Sequence, residues 1–186
     1  MSAGVSYEEW KEKYVPKEEQ NSLDKSAESG IIKESDIFRS IADPLVEALG
    51  AAEDSHPKEV ESILNYLRSN SVEIVIDEHS AIGYSPGLSA GEHGQFIVPK
   101  GASISAWRHE LQHVKDNESM GWLTFNELIY GNKERRISME EKAYAAEIDL
   151  AKALGRDDMV ARLETLLQEE RKRINELYGD SQRLIP

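Results

Sequence analysis

The chain has 186 residues, a formal net charge of −13 and no cysteine. This length fits one domain of ordinary size, and the acidic excess disfavours nucleic acid and anionic membranes as partners because phosphate would be repelled. Without cysteine there are no disulfides and no thiolate metal ligands. No apolar run approaches a membrane span and no signal-peptide core is seen, so we expect a protein of the cytoplasm or one delivered inside a particle.

The first part of the chain divides into a polar segment and two helical segments. Residues 1–30 are polar and are predicted to form a tail or linker, which leaves residues 31–186 as a single domain. Apolar residues recur every three or four positions over 36–49 and over 57–68, and this spacing predicts two amphipathic helices.

Three short segments then have the composition of strands. Residues 72–76, 82–85 and 95–98 are rich in β-branched and aromatic side chains, and a glycine-rich loop over 87–94 separates the last two. Together with the flanking helices they predict an α+β fold with a small, mostly antiparallel sheet.

Residues 109–113 read His-Glu-Leu-Gln-His, and no other motif in the chain is as specific. On a helix predicted over 106–117, His109 and His113 lie one turn apart on one face and can bind a single ion. Glu110 lies about 100° round the axis, where it can contact a metal-bound water without ligating the metal. Zinc lowers the pKa of such a water to about 7, and the glutamate then acts as general base.

The predicted helix has two distinct faces. Trp107, Leu111 and Val114 form an apolar stripe on one face, and His109, His113 and Asp116 lie on the other. Two interpretations of Asp116 remain open: it accepts a hydrogen bond from the outer nitrogen of His113, or it is simply solvated.

A catalytic zinc site needs a third protein ligand, and the chain has neither cysteine nor a histidine after the motif. A second helix is predicted over 138–154, beginning at a capping box of Ser138 and Glu141. Glu140 borders the apolar stripe of this helix, so we favour it as ligand over Glu141 and Glu147. The alternative is an ordinary charged helix face. A further long helix is predicted over 156–178.

The motif, followed by Glu140-x-x-Ala143-Tyr144, resembles the gluzincin branch of the zincin metallopeptidases over about residues 72–154. The resemblance implies that His109, His113 and Glu140 ligate Zn²⁺ and that Glu110 is the base. Several gluzincins have an aspartate where this chain has Tyr144, and that aspartate bonds a ligand histidine. The Tyr144 hydroxyl could replace it, contact substrate as a catalytic group, or only pack.

The same resemblance bears on substrate binding. In zincins an edge strand lines the cleft and pairs with extended substrate, and the strand over 95–98 precedes the motif in the same way. The oxyanion of the tetrahedral intermediate is stabilised by a tyrosine or histidine in this family, for which Tyr84, His93, Tyr130 and Tyr144 are candidates. The histidines at 56, 79 and 93 are not expected to bind metal.

The expected function is therefore zinc-dependent hydrolysis of a protein or peptide substrate. The N-terminal residues resemble linkers of phage head-morphogenesis proteins that carry toxin or peptidase domains, which would make this a phage-associated effector delivered with the particle. The order of strand, motif and glutamate helix is also similar to that of ImmA-type regulatory peptidases, which cleave repressors. A third interpretation is a non-catalytic acidic module that binds a basic partner.

Overall fold

The structure is a computed structural model that describes residues 43–77 and 82–181, and the predicted tail over 1–30 and His79 lie outside these ranges. The elements in chain order are α1 (Val46–Leu49), α2 (Ala52–Ser55), α3 (Pro57–Ser69), β1 (Glu73–Asp77), β2 (Gly83–Ser85), β3 (Gln95–Pro99), α4 (Ile104–Ser119), α5 (Phe125–Ile129), α6 (Lys133–Ala153) and α7 (Asp157–Ser181). The α+β class predicted from the sequence is confirmed. In the described part of the chain, no helix has the length and apolar content needed to cross a membrane.

The three strands form a mixed sheet in the order β1-β3-β2. β1 pairs with β3 in parallel over five residues, and β2 pairs with β3 antiparallel over three. The prediction of a mostly antiparallel sheet is therefore wrong for one of the two strand pairings, that of β1 with β3. Each strand runs opposite to the one before it in the chain, so β1 and β3 point the same way. Because β3 lies beside β1 in the sheet, that pairing is parallel.

The main core lies between α3, the sheet and one face of α4. Phe96 and Val98 point inward from the central strand, where both are fully buried. They meet apolar side chains of the two helices: Val60, Ile63, Leu67, Trp107 and Val114. The other face of α4 packs against α6, which also packs against α7, where a second apolar cluster forms around Leu163.

The start of α4 is fixed by two polar side chains. Ser103 is the N-cap, and its hydroxyl accepts a hydrogen bond from the amide of Ala106 at 3.4 Å. Asp43 accepts two bonds from Ser103 itself, from the amide at 2.6 Å and from the hydroxyl at 2.7 Å. The segment before α1 is thereby attached to the first turn of the motif helix.

α6 begins five residues earlier than the sequence predicted. Its N-cap is Asn132, whose side chain accepts a hydrogen bond from the amide of Arg135 at 2.7 Å. Ser138 is consequently inside the helix, and Glu141 bonds Arg171 of α7 instead of capping. A capping box does occur, at Thr124 and Glu127, where it starts the short helix α5 that the sequence did not predict.

Replacing Phe96 by alanine should reduce the free energy of unfolding by about 3–5 kcal/mol, because it leaves a cavity in the centre of the main core. Urea denaturation followed by circular dichroism measures the change. Ile76 in β1 is 44% exposed, so its replacement by alanine is the control and should cost less than about 1 kcal/mol. Equal losses in the two variants would contradict the position of the core.

Candidate metal centre

The interface between α4 and α6 brings together three groups that metals prefer as ligands. His109 and His113 come from α4 and Glu140 from α6, all three are buried, and their donor atoms lie within 4.8 Å of one another. The Oε2 atom of Glu140 is 3.7 Å from Nε2 of His109 and 3.6 Å from Nε2 of His113. Tetrahedral zinc with nitrogen and oxygen donors separates neighbouring donors by roughly 3.3–3.4 Å. The group could therefore hold a metal ion once its donor atoms draw closer together.

The helical spacing explains how the two histidines come to share this position. They are four positions apart, so their rings lie on adjacent turns with centroids 4.9 Å apart. Trp107 and Val114 are fully buried on the core side of the same helix, as the two-faced pattern predicted. The apolar stripe thus fixes the rotation of α4, and that rotation turns both imidazoles toward α6.

A second buried carboxylate of α6 orients the ring of His109. Glu147 Oε1 accepts a hydrogen bond from His109 Nδ1 at 2.7 Å, and Glu147 Oε2 accepts one from the hydroxyl of Ser105 at 2.8 Å. Glu147 is therefore not the third donor of the group but the outer partner of a donor. One proton is held on Nδ1 by Glu147, so Nε2 is the nitrogen that faces Glu140 and that a metal would bind.

The resemblance left open a hydrogen bond from the Tyr144 hydroxyl to one of the two histidines of the metal group. Tyr144 does not make this bond. Its ring packs edge-on against that of His109, with centroids 4.9 Å apart and planes at 88°. Burial raises the pKa of the Tyr144 phenol, and the carboxylates of Glu140 and Glu147 raise it further. The phenol stays protonated at neutral pH and remains a hydrogen-bond donor beside the metal group.

Asp116 has neither of the two roles considered for it. It is 6% exposed and accepts hydrogen bonds from Lys142 at 2.9 Å and Gln112 at 3.1 Å, so it is neither solvated nor bonded to His113. Nδ1 of His113 is buried and has no hydrogen-bond partner among the described residues. The two histidines are therefore supported unequally, and only the first has a carboxylate behind it.

Glu110 is buried beside the metal group and next to the sheet. Its Oε1 atom has no partner in the described part of the chain, and the backbone of Tyr84 in β2 contributes a hydrogen bond to the carboxylate. Burial raises the pKa of Glu110, and the nearby His109 and His113 oppose that rise. A carboxyl group whose pKa is raised toward neutrality is suited to accept a proton and return it.

The charges of the group depend on one another. Burial alone would lower the pKa of His109, but Glu140 and Glu147 together hold it well above its usual range. Burial alone would raise the pKa of Glu140, yet His113 and His109 hold it well below. Without an ion, the imidazole of His109 therefore carries a second proton, which a bound cation must displace.

The edge strand beside Glu110 is β2, whereas the sequence indicated the strand over 95–98, which is β3. β3 has partners on both sides, so its backbone groups are already paired within the sheet. β2 lies at one side of the described sheet, and its Tyr84 contacts Glu110. The edge strand nearest the metal group is therefore β2, and the expectation for residues 95–98 is wrong.

The other candidate histidines and tyrosines in the described part of the chain have contacts of their own. His93 stacks on Trp122 at 4.1 Å and its Nδ1 bonds the carbonyl of Asn70 at 2.5 Å, while His56 precedes α3 as its N-cap residue. The hydroxyl of Tyr84 donates to the His93 carbonyl at 2.8 Å. Tyr130 packs edge-on against Phe125, so Tyr144 is the candidate in ring contact with a histidine of the metal group.

Comparisons with models of known families, with curated proteins and with solved structures find no match for the chain.

Replacing Glu147 by glutamine should weaken the binding of an added divalent metal such as Zn²⁺ by about 10-fold or more, because the neutral amide no longer holds the proton on His109 Nδ1 as strongly. Competition with a chelating dye measures the dissociation constant. Glu134 on the same helix has a side chain that is 79% exposed, so its replacement by glutamine is the matched control. If the two variants bind zinc equally well, Glu147 does not support the metal group.

Proposed function

We propose that the chain is a zinc-dependent metallopeptidase. The observation that carries this proposal is the buried group of His109, His113 and Glu140 with the carboxylate of Glu110 beside it. Two imidazoles and one carboxylate are a donor set of catalytic zinc sites, which keep a fourth position for water or substrate. A purely structural zinc site would instead use four protein donors.

Residues of this chain would perform the proton transfers. The chemistry that zinc supplies when held by such donors is a lower pKa of water and polarisation of a carbonyl. Glu110 would accept a proton from the attacking water at Oε1, the atom without a partner among the described residues, and would deliver it to the leaving amine. The Tyr144 phenol would donate a hydrogen bond to the oxyanion that forms in between.

The substrate class follows from the strand next to the base. β2 is three residues long, and its described neighbour is β3 on one side only. An extended peptide added along its other side would form backbone hydrogen bonds whatever its side chains, and it would pass close to Glu110. This arrangement favours a protein or peptide substrate over a small ester or amide.

Purified protein incubated with zinc and then dialysed should retain one zinc per chain, as measured by mass spectrometry. Separate replacements of His109 and Glu140 by alanine should each abolish stoichiometric binding, because each leaves two donors where the site needs three. The Glu134→Gln variant should retain the ion. Wild-type protein that holds no metal would contradict the proposal and would favour a non-catalytic acidic module.

Replacing Glu110 by glutamine should leave zinc stoichiometry unchanged and reduce peptide hydrolysis by about 100-fold or more, because the amide cannot accept the proton of the attacking water. Cleavage of a mixed peptide library, followed by mass spectrometry, measures the activity whichever peptide sequence the enzyme prefers. Wild-type turnover in a zinc-loaded variant would reject Glu110 as the base.

A further inference from the structure

Arg136 lies one helical turn before Glu140 on α6, and nothing in the proposed reaction uses it. The Nη2 atom of Arg136 is 3.9 Å from Oε1 of Glu140, and only 16% of the arginine side chain is exposed. Its guanidinium is charged at every pH at which the protein folds, and it can only donate hydrogen bonds. It is therefore a fixed positive charge at ion-pair distance from one oxygen of the carboxylate.

The two oxygens of Glu140 face in different directions. Oε2 is 3.7 Å and 3.6 Å from the imidazole nitrogens of His109 and His113, whereas the arginine contact is to Oε1. A carboxylate that is free to rotate can offer both oxygens to one cation. A second oxygen on the ion would occupy the position that water or substrate needs in a catalytic site.

A positive charge beside Glu140 also reduces the repulsion between this carboxylate and its buried acidic neighbours. Glu110, Glu140 and Glu147 are all buried within this small region, and carboxylates crowded in a low-dielectric interior repel one another. An arginine on the outer oxygen offsets part of that repulsion without competing for the imidazole side. Lys142 is another cation close to this interface, and it is bonded to Asp116 instead.

We infer that Arg136 is a positioning residue that restricts Glu140 to a single donor oxygen and so keeps one coordination position of the bound ion open. The inference rests on the proposed metal site and adds a role for this residue within it. Arg136 acts through Glu140 and makes no contact with the ion.

The test uses full-length protein loaded with Co²⁺, whose visible spectrum reports the ligands around the ion. Imidazole is titrated at about pH 8, where it is largely neutral, so its binding does not depend directly on the charge of Arg136. Wild-type protein should bind imidazole with a clear spectral change. In Arg136→Gln the second oxygen of Glu140 fills the open position, and the imidazole dissociation constant should rise by about 10-fold or more.

Matched variants separate positioning from a general loss of charge or fold. Lys133 is in the first turn of the same helix and pairs with Glu134 at 4.0 Å, so Lys133→Gln removes one positive charge without contact with Glu140 and should leave imidazole binding unchanged. Arg136→Lys should restore most of the affinity. Arg136→Met retains the apolar stem and is the second neutral variant should the glutamine variant fail to fold, as judged by circular dichroism.

The outcomes distinguish this inference from the proposed function. Cobalt bound by all variants, with equal imidazole affinity in wild type and in the folded neutral variants, would overturn the role of Arg136 and leave the metal site intact. Failure of the wild-type protein to bind cobalt would overturn the metal site and this inference together.

Discussion

The hydrogen bond between His109 and Glu147 is the interaction on which the metal group depends. Both side chains are almost completely buried, and an ionised carboxylate is costly in that environment unless its lone pairs are occupied. Ser105 and His109 occupy both oxygens of Glu147, so the carboxylate is satisfied only when α4 and α6 pack in one register. That register also turns Nε2 of His109 toward Glu140. A single buried acid thus couples the packing of two helices to the geometry of the metal group.

The motif could be interpreted from sequence because its geometry is local. The i, i+4 spacing places both imidazoles on one helical face whatever the rest of the chain does. Glu140 was favoured because it borders an apolar stripe, which is also a property of one helix. The role of Glu147 could not be predicted, because it depends on how two helices are placed against each other. It lies two turns after Glu140 on the same face, which is the only signal that the sequence contained.

The same distinction between local and long-range interactions explains the fold. The three strands were located within a residue or two, since strand propensity is read from each segment by itself. The order of the strands in the sheet was not predicted, because the position of β3 between β1 and β2 depends on pairing across the sheet. The start of α6 was misplaced since Asn132 and Ser138 are both good caps. Asn132 is the observed cap, and Arg135 in the first turn that it starts bonds the carbonyl of Glu127 in α5.

The bonds between Asp43 and Ser103 have a consequence for how this chain can be shortened or fused to other proteins. Ser103 and His109 are six positions apart, which is about 9 Å along a helix. A cut made after residue 43 would remove the acceptor of two partly buried hydrogen bonds and would let the first turn of the motif helix unwind toward its histidines. A junction placed at that point would therefore act on the geometry of the metal group although it lies sixty-six positions from His109 in the sequence.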